Sequence, residues 1–140
     1  MNWLIYALLS AVCAAFVSIF GKIGLQNIDS NTATAIRAII MAIFLMIVVA
    51  IEGNLNKIPV ILADKKNIIY IVLSGIAGAS SWLFYFLALK SGKVTQVAPV
   101  DKLSVVLATI IAVLFLSEKI SLWNGIGIAF ITIGVILTTI

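Results

Sequence analysis

Polar residues in this chain come in short clusters. Between them lie five long apolar runs: Trp3–Leu25, Thr32–Ile51, Asn67–Leu89, Gln96–Leu116 and Leu122–Ile140. Crossing a hydrocarbon core of ~30 Å takes about 20 helical residues, and each run is close to that length. In lipid every backbone amide needs an internal partner, so the runs are expected as α-helices. Three of the four links are short, which makes consecutive helices antiparallel neighbours. The fourth, residues 52–66, is longer, and Ile58, Ile61 and Leu62 around Pro59 predict a short interfacial helix there. The expected fold class is all-α integral membrane: a five-helix bundle forming one domain over residues 1–140.

Within the runs, small residues fall on stripes. Ala7, Ala11, Ala14, Ala15 and Ser18 share one face of the first helix. The third carries Ser74, Gly75, Gly78 and Ser81 beside Trp82, Tyr85 and Ala88, and the fifth has Gly125, Gly127 and Gly134. Such stripes let helices approach closely in lipid. Asp29, Ser30 and Asn31 are candidate N-caps of the second helix and Ser121 of the fifth, where Glu118 caps or pairs locally.

Composition sharpens this picture. Of 140 residues 64% are apolar, against about 45–50% in soluble domains. Mean hydropathy is +1.28. No soluble core of this size absorbs that excess. There is no His, and Cys13 is the single cysteine. An intrachain disulfide, a Cys/His metal site and His-based acid–base or nucleophile chemistry are therefore excluded, so neither a cofactor nor an enzyme is expected. The net charge of +4 comes from scattered helix-flanking bases, not from a nucleic-acid-binding patch. The first run is longer than a signal-peptide core, and it is expected to be a retained span.

Five spans place the termini on opposite sides. Lys57, Lys65, Lys66 and Lys119 lie in loops on the N-terminal side. Lys90 and Lys93 lie in a loop on the other, with Lys22, Arg37 and Lys102 nearer the helices. The loop count favours a cytoplasmic N-terminus in the cell membrane by a small margin, which permits insertion in both orientations. Two oppositely inserted copies would form the inverted pair that many transporters build from internal repeats.

Charges inside apolar runs mark candidate function. Asp101 and Lys102 sit beside Pro99 in the first two turns of the fourth run, where a carboxylate also suits the helix dipole. Lys102 either snorkels or joins the site. Arg37 stands alone on the second helix, and Arg37 or Lys22 is the expected partner of Asp101. Trp82 and Tyr85 are too deep for an aromatic belt. Either they pack in the core or, with Ser81, Ser74 and Ser80, they form a substrate surface. Trp3 and Trp123 are interfacial anchors.

These residues also carry a resemblance. Gly78-Ala-Ser-Ser-Trp-Leu-Phe-Tyr-Phe-Leu-Ala-Leu-Lys-Ser-Gly92, then Val97-Ala-Pro-Val-Asp-Lys-Leu-Ser-Val-Val-Leu107, resembles the EamA family of the drug/metabolite transporter superfamily. So do Leu116-Ser-Glu-Lys-Ile-Ser121, Gly125-Ile-Gly-Ile-Ala-Phe-Ile-Thr-Ile-Gly134, Gly21-Lys22 and Arg37. That family usually has ten helices, built as two five-helix repeats of opposite topology. This chain resembles one repeat. The resemblance implies a transporter of small metabolites working by alternating access. It also implies a homodimer, antiparallel in arrangement, or a pair with a paralogous five-helix chain. The small multidrug resistance branch uses a first-helix carboxylate, which is missing here. The candidate substrate or coupling residues are Asp101, Lys102, Arg37, Trp82, Tyr85, Ser81 and Lys22, with a net-cationic cavity suited to a zwitterionic or anionic solute. The alternative is a non-transporting subunit of another membrane protein.

Overall fold

The computed structural model describes residues 2–140, with side chains from Trp3 onward. It holds α1 (Asn2–Gly24), α2 (Ser30–Ile51), a 3₁₀ turn (Leu55–Lys57), α3 (Ile58–Ala63), α4 (Lys65–Ser91), α5 (Val94–Asp101), α6 (Leu103–Leu116) and α7 (Leu122–Thr139). No strand occurs among the described residues. Five stretches are long and apolar enough to cross a membrane: Trp3–Gly24, Ser30–Ile51, Lys65–Ser91, Val94–Leu116 and Leu122–Thr139. The chain is an all-α, multi-pass membrane protein. Its helices group into two units, one running to Lys22 and resuming over Ser91–Ile140, the other Ile23–Lys90.

In the first unit α7 packs along α5 and α6. The fourth span differs from the single helix expected from Gln96. It starts two residues earlier, at Val94, and breaks at Lys102. Pro99 has no N–H and crowds the carbonyl one turn before it. The chain answers with tighter three-residue steps: Lys102 N–H donates to Pro99 O (2.9 Å) and Val105 N–H to Lys102 O (3.0 Å). Asp101 is consequently the last residue of α5, not a residue of the span's first turns alone. It lies between the end of one helix and the start of the next, where the two dipoles act with opposite signs. This corrects the simple dipole account of Asp101.

The turn into α7 is tight. Ser117 adopts the left-handed region (φ 55°) that non-glycine residues seldom occupy. The Ser117 and Glu118 amides both donate to Ala112 O, closing α6. Ser121 then caps α7 by accepting from Asn124 N–H (3.2 Å). The α7 cap is thus Ser121 rather than Glu118.

In the second unit Asp29 caps α2. Its Oδ2 accepts from the Thr32 amide (2.7 Å) and hydroxyl (2.8 Å). Asp64 caps α4 in the same way, accepting from the Lys66 and Asn67 amides (3.2 Å each), and this carries α4 two residues further toward its N-terminus than the apolar pattern alone. The segment around Pro59 does form a helix, α3, with proline in its first turn. Lys90 Nζ donates to Ile28 O (3.0 Å), which ties the end of α4 to the link before α2. Phe86 and Leu89 are buried on α4, Leu89 completely.

Within each unit the described residues leave most of the small-residue stripes uncovered. Ala7, Ala11, Ala14 and Ala15 are exposed, while Ser18 is buried and bonds back to Ala14 O. A Cβ added at Gly75, Gly78, Gly125, Gly127 or Gly134 would meet nothing within 4 Å. Within its own unit each of these glycines has room beside it.

Candidate functional site

The second unit holds the most distinctive polar arrangement. α2 and α4 run in opposite directions, and helical rise fixes which of their residues share a level. Arg37 lies seven residues from the start of α2, about 10 Å along the helix. Phe86 and Trp82 lie five and nine residues before the end of α4, about 8 and 14 Å from it. With Lys90 holding the two ends together, Arg37 arrives level with the gap between the two rings. Its guanidinium carbon sits 3.9 Å from the Trp82 ring centroid and 4.4 Å from that of Phe86. Tyr85 braces Phe86 edge-on, with centroids 5.6 Å apart and planes at 72°.

Magnitudes show that this clamp is incomplete. A cation at the centre of a span costs about 2.5–3.5 kcal/mol on insertion scales, and less near its ends. Each cation–π contact returns roughly 0.5–2 kcal/mol. The rings therefore offset much of the charge, but they offer no lone pair to the N–H donors. Arg37 Nη1 is buried and has no hydrogen-bond partner. A buried donor left unpaired costs about 1–3 kcal/mol.

The first unit holds the other charges. Asp101 pairs with its neighbour Lys102, Nζ to Oδ2 at 3.2 Å. Lys102 is 55% exposed and Asp101 34%, so the pair is reachable from outside the unit. Lys22 reaches across to donate to Gly92 O (2.8 Å), closing the end of α1 onto the link before α5. The cation beside Asp101 is thus Lys102, while Lys22 and Arg37 make the contacts just described. An open cleft of about 680 Å³ lies between α6 and α7, lined by Thr109, Ala112, Glu118, Trp123, Asn124 and Gly127 among others.

Of the residues singled out from the sequence, Arg37, Trp82 and Tyr85 come together, and Asp101 and Lys102 come together. Ser81 is exposed on α4, next to Ser80, whose hydroxyl is used on Ile76 O (2.8 Å). Phe86 was missed. Its signal was its place one helical turn after Trp82, which puts both rings on one face. The α6–α7 cleft was also missed, because it depends on how two helices and the turn between them sit against each other. Outside the spans, the Asp29 carboxyl is held below its ordinary value, first by the Thr32 amide and then by the Thr32 hydroxyl. Among the described residues no cluster of metal-ligating side chains occurs.

Comparison with known proteins adds to this geometry. The model of the EamA-like transporter family matches residues 1–140. An uncharacterised transporter from a Sinorhizobium species, named for the region 3′ of cobO, is 42% identical over 139 residues. The match covers 99% of this chain and 97% of that protein. An uncharacterised protein of Methanocaldococcus jannaschii is 32% identical over 81 residues, 58% of this chain and 59% of its own length. No solved structure matches.

Proposed function

The chain belongs to the EamA-like transporter family, and from that premise we propose that it moves small metabolites across the cell membrane by alternating access, as a dimer of five-span units. One observation carries the reading: a charged, aromatic-clamped Arg37 inside a membrane span, with a buried donor that nothing in its unit satisfies. Structural arginines near span ends snorkel to water or headgroups. This one is folded against α4 instead. The exposed Asp101–Lys102 pair at a helix break is the second element, because irregular backbone within a span belongs beside a cavity or a protein neighbour, not in lipid.

The dimer rests on the open faces. Small residues on α1, α4 and α7 leave room for another helix to approach closely, and a Cβ added at the α4 and α7 glycines would meet nothing within 4 Å among the described residues. The nearly balanced loop charges suit two copies of opposite orientation, with the N-terminus cytoplasmic in the favoured one. The same open faces also suit a different membrane protein, which keeps the non-transporting subunit as the second reading.

Purified chain in proteoliposomes decides between them. Uptake of radiolabelled amino and carboxylic acids, with a cross-linked species of twice the chain mass, is the expected result. A chain that moves none of them and purifies only in complex with a different protein refutes transport and supports the subunit reading.

A further inference from the structure

We infer that Arg37, in its Trp82–Phe86 clamp, is the recognition group for the carboxylate of an organic solute with an apolar body. The inference deepens the transporter reading, on which it rests for calling that solute the cargo.

The argument starts from what the guanidinium lacks. Its charge is met by two aromatic rings at 3.9 and 4.4 Å. An aromatic face attracts a cation but supplies no lone pair along the guanidinium edge. Nη1 is buried and unpaired as a result. The group that matches a guanidinium edge is a planar oxyanion, which accepts two parallel N–H bonds. Asp29, the acid preceding α2, is committed to capping that helix through Thr32. Asp64 is committed in the same way to α4.

The surroundings then select among oxyanions. Trp82, Tyr85 and Phe86 give the site an aromatic wall, and Tyr85 and Trp82 are only half-buried. A carboxylate joined to an apolar ring can use both wall and guanidinium, whereas inorganic phosphate uses only the second. Nη1 is covered in the structure described, so entry of a ligand moves the guanidinium relative to the Trp82 ring. Trp82 is therefore the reporter.

The experiment uses the full chain with Trp3 and Trp123 replaced by phenylalanine, leaving Trp82 as its one tryptophan. Emission is titrated in micelles with benzoate, acetate, inorganic phosphate, chloride and phosphatidylglycerol at constant ionic strength. The expected result is a saturable change with benzoate, at least tenfold weaker with acetate and with phosphate, and none with chloride. Arg37→Lys keeps a cation in place but loses the fork, and it is expected to weaken benzoate at least tenfold. Arg37→Gln removes the response, with helicity checked by circular dichroism.

A change that chloride reproduces, or that survives unaltered in Arg37→Lys and Arg37→Gln, overturns the assignment. A response to phosphatidylglycerol with none to benzoate gives the oxyanion contact to a lipid headgroup and overturns the solute. Transport needs no part in this measurement. Binding without flux supports the contact and refutes the transporter reading, whereas flux without an Arg37-dependent response refutes the contact and leaves transport standing.

Discussion

Leu89→Ala tests whether the end of α4, one turn beyond the aromatic clamp, is as tightly packed as the complete burial of Leu89 indicates. Leu89 has no exposed surface, and it lies one helical turn beyond Tyr85 and Phe86. In a water-soluble core, Leu→Ala costs about 2.7–5.0 kcal/mol, made of a transfer part and a cavity part. The transfer part, roughly 2 kcal/mol for the methylenes removed, comes from returning apolar surface to water. Here the separated helices remain in an apolar medium, so that part falls away. What remains is the lost contacts around the cavity, about 1–3 kcal/mol, or roughly a 5- to 150-fold shift in the folding equilibrium. The control is Leu73→Ala on the same helix, where Leu73 is 57% exposed and the expected change is within about 0.5 kcal/mol. Reversible unfolding in mixed micelles by added sodium dodecyl sulfate, followed by circular dichroism, measures both. Equal stabilities for the two variants would refute the packing described. A cost for Leu89→Ala near the top of the soluble range would refute the claim that its transfer part is absent.

Three further outcomes are expected. Reporters fused at the two ends should each show both orientations, and a single fixed orientation would sink the antiparallel pair. Asp29 has a folded-state pKa below its ordinary 3.8, so its stabilising effect is complete above that value and is lost as pH falls through the lowered one. Thermal unfolding between pH 5 and pH 2.5 should therefore fall more steeply for the parent chain than for Asp29→Asn, and parallel curves would count against the cap. Proteoliposome flux should lose its pH dependence in Asp101→Asn if Asp101 carries the coupled proton, and an unchanged profile removes Asp101 from that role.

The spans were legible because hydropathy and length act locally, one helix at a time. The end caps at Asp29 and Ser121 were legible for the same reason, since a capping side chain reaches only two or three residues onward. The break at Lys102 was half legible. Pro99 was visible, but its placement depended on whether the helix began at Val94 or Gln96, and two residues move proline from the tolerated first turn into the body of the helix. Arg37 and Trp82 were each marked as unusual without being joined. Their meeting depends on the relative levels of α2 and α4, fixed by the Lys90–Ile28 bond across 62 positions of chain. Phe86 had no polar atom to draw attention, and only its distance from a guanidinium gives it a role.

The open glycines have a consequence for mutational scanning. Helix interiors favour alanine over glycine by about 1 kcal/mol. At Gly75, Gly78, Gly125, Gly127 and Gly134 the chain itself has room for the extra methyl group. Taken alone, the chain should tolerate or gain from alanine at all five. Any of these substitutions that lowers activity while leaving the isolated fold intact is opposed by something outside its own unit. The harmful subset would then trace the footprint of whatever covers these faces, and would record its shape before it is seen.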